Sequence, residues 1–156
     1  MNQYLIECCA NSVQSAINGE KGGANRIELC RDLELGGLTP KRNDIIKTRA
    51  SINIPFYVLI RPKKESFVYT DEELLEIIDD IQFCKTTGCE GVVIGALHKN
   101  GSVNVEQTKQ MVKAANPMCV TFHRAFDEGN DLVENLEDVI TCGCDILLTS
   151  GQENNV

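Results

Sequence analysis

Positive charge is in short supply in this chain: 15 lysines and arginines stand against 23 aspartates and glutamates, a net charge of −8. No basic run concentrates what there is. Binding to nucleic acid or to an anionic membrane draws on the charge that is missing, so neither is an expected partner. Apolar runs are short too, and none approaches the roughly 18 residues that a spanning helix needs. The opening Met1-Asn2-Gln3-Tyr4-Leu5-Ile6-Glu7 has no basic start, and Glu7 interrupts it too early for a signal peptide. Among the 8 cysteines there is no C-x-x-C pair. They read as reduced thiols of a cytoplasmic protein rather than as a secreted disulfide framework, each by default a small hydrophobe of the core. Neither a Walker loop nor a G-x-G-x-x-G turn is present, which leaves a nucleotide reading without support.

What is there is a single domain spanning 1–156, long enough to bury a core without staples. Short β-branched runs alternate with amphipathic stretches six times, the pattern of a parallel sheet covered by helices. The expected strands are 4–9, 26–30, 55–61, 91–96, 118–124 and 145–150. Five helix patterns lie between them. Asn11 is the expected cap of the first and Thr39-Pro40 the start of the second. Thr70 with Glu73 forms a capping box for the third, whose expected apolar face is Leu74, Leu75, Ile77, Ile78 and Ile81. The fourth carries Val105, Met111, Val112 and Ala115, and the fifth Leu132, Leu136, Val139 and Ile140. A weak repeat places Gly23, Gly88 and Gly143 at helix ends before strands, where a left-handed turn is expected. Six β/α units suit an open doubly wound sheet or an incomplete (β/α)8 barrel. A barrel of six units leaves its first and last strands as open edges that favour association into a homo-oligomer.

Chemistry gathers at the strand ends. Glu7-Cys8-Cys9 and Glu28-Leu29-Cys30 repeat the pattern E-x-C, and strand alternation turns each Glu and Cys to one side. If the two strands align, two carboxylates form one layer and two thiols the next. Arg61 ends the third strand, and His123 and Arg124 end the fifth; alternation allows only one of that last pair inward, and His123 is the expected one. Glu7, Glu28, Arg61 and His123 together suit proton transfer or the binding of a small anion, or else are buried ion pairs that only set register. Cys9 and Cys30 can hold Cu(I) or Zn²⁺ through soft sulfur, or simply fill space. His98 falls in a solvated turn, and Cys142-Gly143-Cys144 diverges across a helix end. Gly36-Gly37 either lets backbone amides approach an anion or is a plain turn.

At these residues the chain resembles the CutC family. The resemblance is carried by Asn25-Arg26-Ile27-Glu28-Leu29-Cys30, Leu35-Gly36-Gly37-Leu38-Thr39-Pro40, Val58-Leu59-Ile60-Arg61-Pro62, Gly91-Val92-Val93-Ile94-Gly95-Ala96-Leu97, Val120-Thr121-Phe122-His123-Arg124-Ala125-Phe126-Asp127 and Leu148-Thr149-Ser150-Gly151. It implies a TIM-barrel-like α/β fold, a cytoplasmic protein and a part in copper homeostasis, with Cu(I) as metal on Cys9 and Cys30. It also implies that units corresponding to the seventh and eighth strands are missing here. The residues themselves equally suit a barrel enzyme acting on a small anionic metabolite, with Glu7 or Glu28 as acid or base, His123 as proton carrier and Arg61 as anion clamp. A third reading is an interaction partner with no site of its own.

Overall fold

The structure, a computed structural model, describes residues 4–153; Met1, Asn2 and Gln3 of the opening segment lie outside them. Six parallel strands run in sequence order: β1 (Glu7–Ala10), β2 (Arg26–Leu29), β3 (Phe56–Leu59), β4 (Gly91–Ile94), β5 (Cys119–Phe122) and β6 (Ile146–Leu147). Each is hydrogen-bonded in parallel to the next. Between them lie α1 (Val13–Lys21), α2 (Arg42–Ser51), α3 (Asp71–Thr87), α4 (Val105–Ala115) and α5 (Leu132–Cys142). This is six units of a TIM-barrel-like sheet with β1 and β6 at its two edges. No helix among the described residues is long and apolar enough to cross a membrane.

Strand alternation divides the interior in two. Ile27, Leu29, Phe56, Val58, Val92 and Ile94 face outward and form the main core with Ala16, Ile45, Ile77, Ile81 and Met111 of the helices. Cys30, Tyr57, Leu59 and Val93 face inward as a smaller cluster, with Cys119 and Ile146 against it. Strands buried on both faces read as continuous apolar runs, which is why they stand out in the sequence. The strands are shorter than the apolar runs, because the last residues of each run leave the ladder and turn into the loops that carry the site.

Several local expectations hold and others shift. The Thr70–Glu73 capping box is present on α3. Gly23, Gly88 and Gly143 have φ of 94°, 83° and 83°, the left-handed turns expected of them. The cap of α1 is Ser12 rather than Asn11, its hydroxyl accepting from the Ser15 N–H at 3.1 Å. Thr39 does not cap α2, which begins after Lys41; its hydroxyl instead accepts the Arg61 N–H at 2.8 Å, tying the loop before α2 to the end of β3. Leu75 and Ile140 are 70% and 60% exposed. Each follows the true core residue, Leu74 or Val139, by one position, a step of about 100° around a helix.

Candidate functional site

Glu28 leaves the middle of β2 facing inward, with β1 on one side and β3 on the other. The register pairs it with Cys9 and with Tyr57, and pairs Glu7 with Arg26. The expected layer of two carboxylates below two thiols is therefore absent, because neighbouring barrel strands are staggered and identical triplets do not meet at one height. Glu7 is spent on an ion pair with Arg26, whose guanidinium also lies 4.3 Å over the Tyr57 ring.

Glu28, Arg61 and His123, together with Cys9, Phe67 and Arg124, line one cavity of about 280 Å³ at the carboxyl ends of the strands. Cys30 and Glu7 do not line it. Cys30 is sealed beneath the loop after β2: a Cβ added to Gly37 would stand 3.5 Å from its Cβ. Three polar atoms around the cavity are buried without a hydrogen-bond partner: Glu28 Oε2, Arg61 Nε and His123 Nε2. Their residues are 6%, 8% and 4% exposed. Of the eight such side-chain atoms among the described residues, three gather on this one cavity, and that clustering marks a place suited to something polar.

Each is held differently. Arg61 donates from Nη1 to the carbonyls of Leu35 and Gly37 at 3.3 and 3.2 Å and from Nη2 to that of Lys64 at 2.9 Å. It also lies 4.5 Å over the Phe67 ring. Its fork therefore binds two loops together, and of its five N–H groups the one on Nε and one on Nη2 remain without an acceptor. The amides of Gly36 and Gly37 are likewise used, bonding to Leu33 and Asp32 carbonyls within their own turn, so this glycine pair is a turn and not an anion nest. His123 ends β5 and caps the 3-10 turn Arg124–Glu128, its Nδ1 accepting the Ala125 N–H at 3.2 Å. That bond places the proton of the neutral ring on Nε2. Because the strand gives way to this turn after Phe122, alternation ceases to apply, and His123 and Arg124 both reach the cavity.

Burial, with Arg61 nearby, lowers the His123 imidazole from 6.5 to about 3, against the pull of a backbone hydrogen bond. Burial and the neighbouring Glu7 raise the Glu28 carboxyl from 4.5 to about 7, only partly offset by Arg26. The two residues oppose each other in the stability of the fold. Native Glu28 holds a proton that the unfolded chain releases between pH 4.5 and 7, so its contribution is fully present below 4.5 and lost as pH rises to about 7. His123 behaves in the opposite sense, adding stability as pH rises from about 3 to 6.5. Glu28→Gln is therefore expected to unfold later in urea than the parent at pH 8, by up to about 3 kcal/mol, with the gain vanishing near pH 4.5. Equal stability at pH 8 would show that Glu28 titrates normally.

The thiols are poor thiolates as they stand. Partial desolvation and the carboxylates of Glu28 and Glu7 push Cys9, an exposed residue, up to about 12, and burial, Glu28 and Asp32 push Cys30 to about 11. Among the described residues there is no group of three or more His, Cys, Asp or Glu that could hold a metal ion. His98 is exposed in its turn, as expected.

A second cavity, of about 370 Å³, adjoins the first through Gly36, Arg61, Phe67 and Arg124. Asp127 stands on its wall. Its carboxylate accepts from Arg124 Nε at 2.8 Å, Thr149 Oγ1 at 2.6 Å, and the backbone N–H groups of Ser150 and Gln152 at 3.0 and 3.1 Å. Burial pushes this group up, but those donors prevail and hold it well below the usual carboxylate range. Asp127 thus ties the end of β5 to the end of β6. Sequence reasoning passed over Asp127 and Phe67 as site residues and expected Arg124 to face away, whereas Arg124 lines both cavities. Asp127 and Arg124 lie in its most distinctive segment, whereas nothing in the sequence around Phe67 announces that its ring lies under Arg61 and 4.9 Å from the tilted ring of His123.

A family profile, that of the CutC family, matches residues 4–156. The chain belongs to the CutC family. A Bacteroides fragilis protein named as a family protein CutC is 43% identical over 154 residues, covering 98% of this chain and 61% of its own length. A human protein named copper homeostasis protein cutC homolog is 41% identical over 154 residues, covering 99% and 56%. This CutC chain thus spans about three fifths of the length of the curated relatives it matches. Its fold superposes on a solved structure described as CutC from Streptococcus agalactiae with a TM-score of 0.91 at 29% identity, covering 97% of this chain and 75% of that one. An aldolase, QR15, superposes at 0.66 with 13% identity and covers 97% and 71%, a likeness of fold alone. The CutC segments quoted above from the sequence supply Glu28, Arg61, His123, Arg124 and Asp127 to the two cavities.

Proposed function

We propose that this chain binds a small organic anion in the carboxyl-end cavity, with Glu28 exchanging a proton with it and His123 donating a hydrogen bond to it. The observation that carries this reading is the set of three orphaned buried polar atoms on one cavity. The Arg61 guanidinium is permanently charged and supplies attraction through Nε. Glu28, brought to about 7, matches the range in which a general acid or base works best. His123 stays neutral and donates from Nε2. Glu7, committed to Arg26, takes no part. A thermal-shift panel of small carboxylates and phosphates is the direct test: hits should raise the melting temperature of the parent but not of His123→Leu. Undiminished shifts in that variant place the binding elsewhere.

A second reading rests on the relatives named for copper homeostasis and on Cys9 and Cys30 facing one side of neighbouring strands. In it the protein acts in the cytoplasm as part of copper handling, holding Cu(I) between the two thiols, and associates into a homo-oligomer through its edge strands. Both thiols are protonated at neutral pH, so each must release a proton to the metal. Anaerobic titration with Cu(I) against a competing chelator should show affinity rising about 100-fold per pH unit, the mark of two protons released. It should be lost in the Cys9→Ser/Cys30→Ser double variant. Copper uptake by that variant equal to the parent's removes the thiol pair from consideration. Sedimentation alongside reads the oligomeric state.

A further inference from the structure

Two cavities meet at the carboxyl end, with Gly36, Arg61, Phe67 and Arg124 as their common wall, and their free polar groups are of opposite kind. The inner one offers donors. Arg61, 8% exposed, brings a permanent positive charge and an unpartnered Nε, and His123, 4% exposed, brings an unpartnered Nε2 that carries the proton because Nδ1 is occupied. The outer one offers acceptors. Arg124 and Asp127 neutralise each other there, and Gln152 donates from Nε2 to the carbonyls of Phe126 and Gly129 at 3.3 and 3.2 Å. Glu128 and Glu153 complete that wall. Both are exposed, and among the described residues neither has an ion-pair partner.

We propose that the two cavities are one site for a straight-chain zwitterion, its carboxylate on Arg61 and His123 in the inner cavity and its ammonium on Glu128 and Glu153 in the outer one. This inference rests on the anion-site reading and adds to it the ligand's second charge. Arg61, more than nine-tenths buried and shared by both cavities, is what makes the acidic wall part of a ligand site rather than a solvated rim.

Charge selects the far end of the ligand. An ammonium compensates the two carboxylates, whereas a hydroxyl satisfies hydrogen bonds and leaves the charge standing, and a second carboxylate is repelled. Between its ends the ligand passes Leu35 and Phe67, whose apolar side chains suit methylene groups. Size sets the length. The inner cavity, about 280 Å³, is roughly 8 Å across, and an extended chain advances about 1.2 Å per bond, so about six carbons carry the ammonium past the common wall.

The test is calorimetric titration of the full chain at neutral pH and low salt, where exposed charges are least screened, with 6-aminohexanoate, hexanoate and hexanedioate and with the five- and seven-carbon homologues of each. Every member brings a carboxylate to the inner cavity, so the state of Glu28 cancels from the comparison. At the best length the amino acid should bind about five- to tenfold more tightly than the plain acid, the gain expected of two exposed ion pairs, and the dicarboxylate more weakly than either. In the Glu128→Gln/Glu153→Gln double variant, which changes two exposed side chains, the ratio of amino acid to plain acid should fall to about one. A ratio under about twofold in the parent at every length overturns the inference, as does a ratio that the double variant leaves unchanged. If amino and plain acids bind the parent equally and His123→Leu abolishes both, the zwitterion assignment falls and the anion site stands. Absence of binding by every acid of the series overturns the zwitterion assignment, and the panel described above then decides the anion site separately.

Discussion

Asp127→Ala is expected to lower the unfolding free energy by about 3 kcal/mol in urea at neutral pH, among the largest losses available to a polar substitution in this chain. The carboxylate receives two backbone N–H groups, the hydroxyls of Thr149 and Ser150 and one guanidinium. Arg124 is 54% exposed in its side chain and can return to water. The amides of Ser150 and Gln152 are half-buried and recover only part of their hydration, and each hydrogen bond lost to an ionised carboxylate is worth about 1.5–3 kcal/mol. The sign of the pH dependence follows from the lowered carboxyl: its contribution is full above its ordinary 3.8 and is lost as pH falls below that value. The gap between parent and variant should therefore narrow on acidification below about 4. A loss under about 1 kcal/mol at neutral pH would mean that β6 is held by its ladder and not by this carboxylate.

Gly95→Ala is expected to destroy the site while disturbing the backbone little. Gly95 follows β4, and a Cβ there would fall 2.6 Å from His123 Cε1 and 2.7 Å from Nδ1. Its φ lies outside the left-handed region, so alanine meets no conformational penalty and the effect comes mainly from the imidazole, with a lesser crowding of Phe122 Cε1 at 3.3 Å. The ring must swing away, breaking the bond from the Ala125 N–H to Nδ1 and losing its tilted contact with Phe67. Overpacking of this kind costs about 1–3 kcal/mol, and affinity for a cavity ligand should fall at least about tenfold as His123 Nε2 is misplaced. Truncating the ring relieves the clash, so the Gly95→Ala/His123→Ala double variant should be more stable than the sum of the single changes predicts. Strict additivity between the two would sink this account.

The architecture was readable because it rests on short-range signals. Apolar runs too long to be half-exposed, the Thr70–Glu73 box, and the glycines at 23, 88 and 143 each act within one turn or one strand, and the structure bears them out. The shifts are equally local. Ser12 displaced Asn11 because both are competent caps and one residue of helix phase decides between them. Thr39 was taken from α2 by a partner 22 residues away, the Arg61 amide.

The candidate site was legible as a set of residues and illegible as an arrangement. Glu28, Arg61, His123 and Cys9 do meet at one cavity, since strand ends of a parallel sheet converge whatever their register. Which of them remain free does not follow from that. Glu7 and Glu28 sit in the same triplet, yet one is neutralised by Arg26 and the other is buried beside Cys9 with an unpartnered oxygen. Arg61 reads as a clamp and is found holding three carbonyls of two loops. By itself the sequence determined the order of elements, the face of each strand residue and the end of the sheet where polar groups collect, because periodicity and capping are properties of neighbouring residues. Only the tertiary structure decided strand stagger, the partner of each charge and the desolvation that raises Glu28 and lowers His123, because those depend on groups brought together from distant parts of the chain.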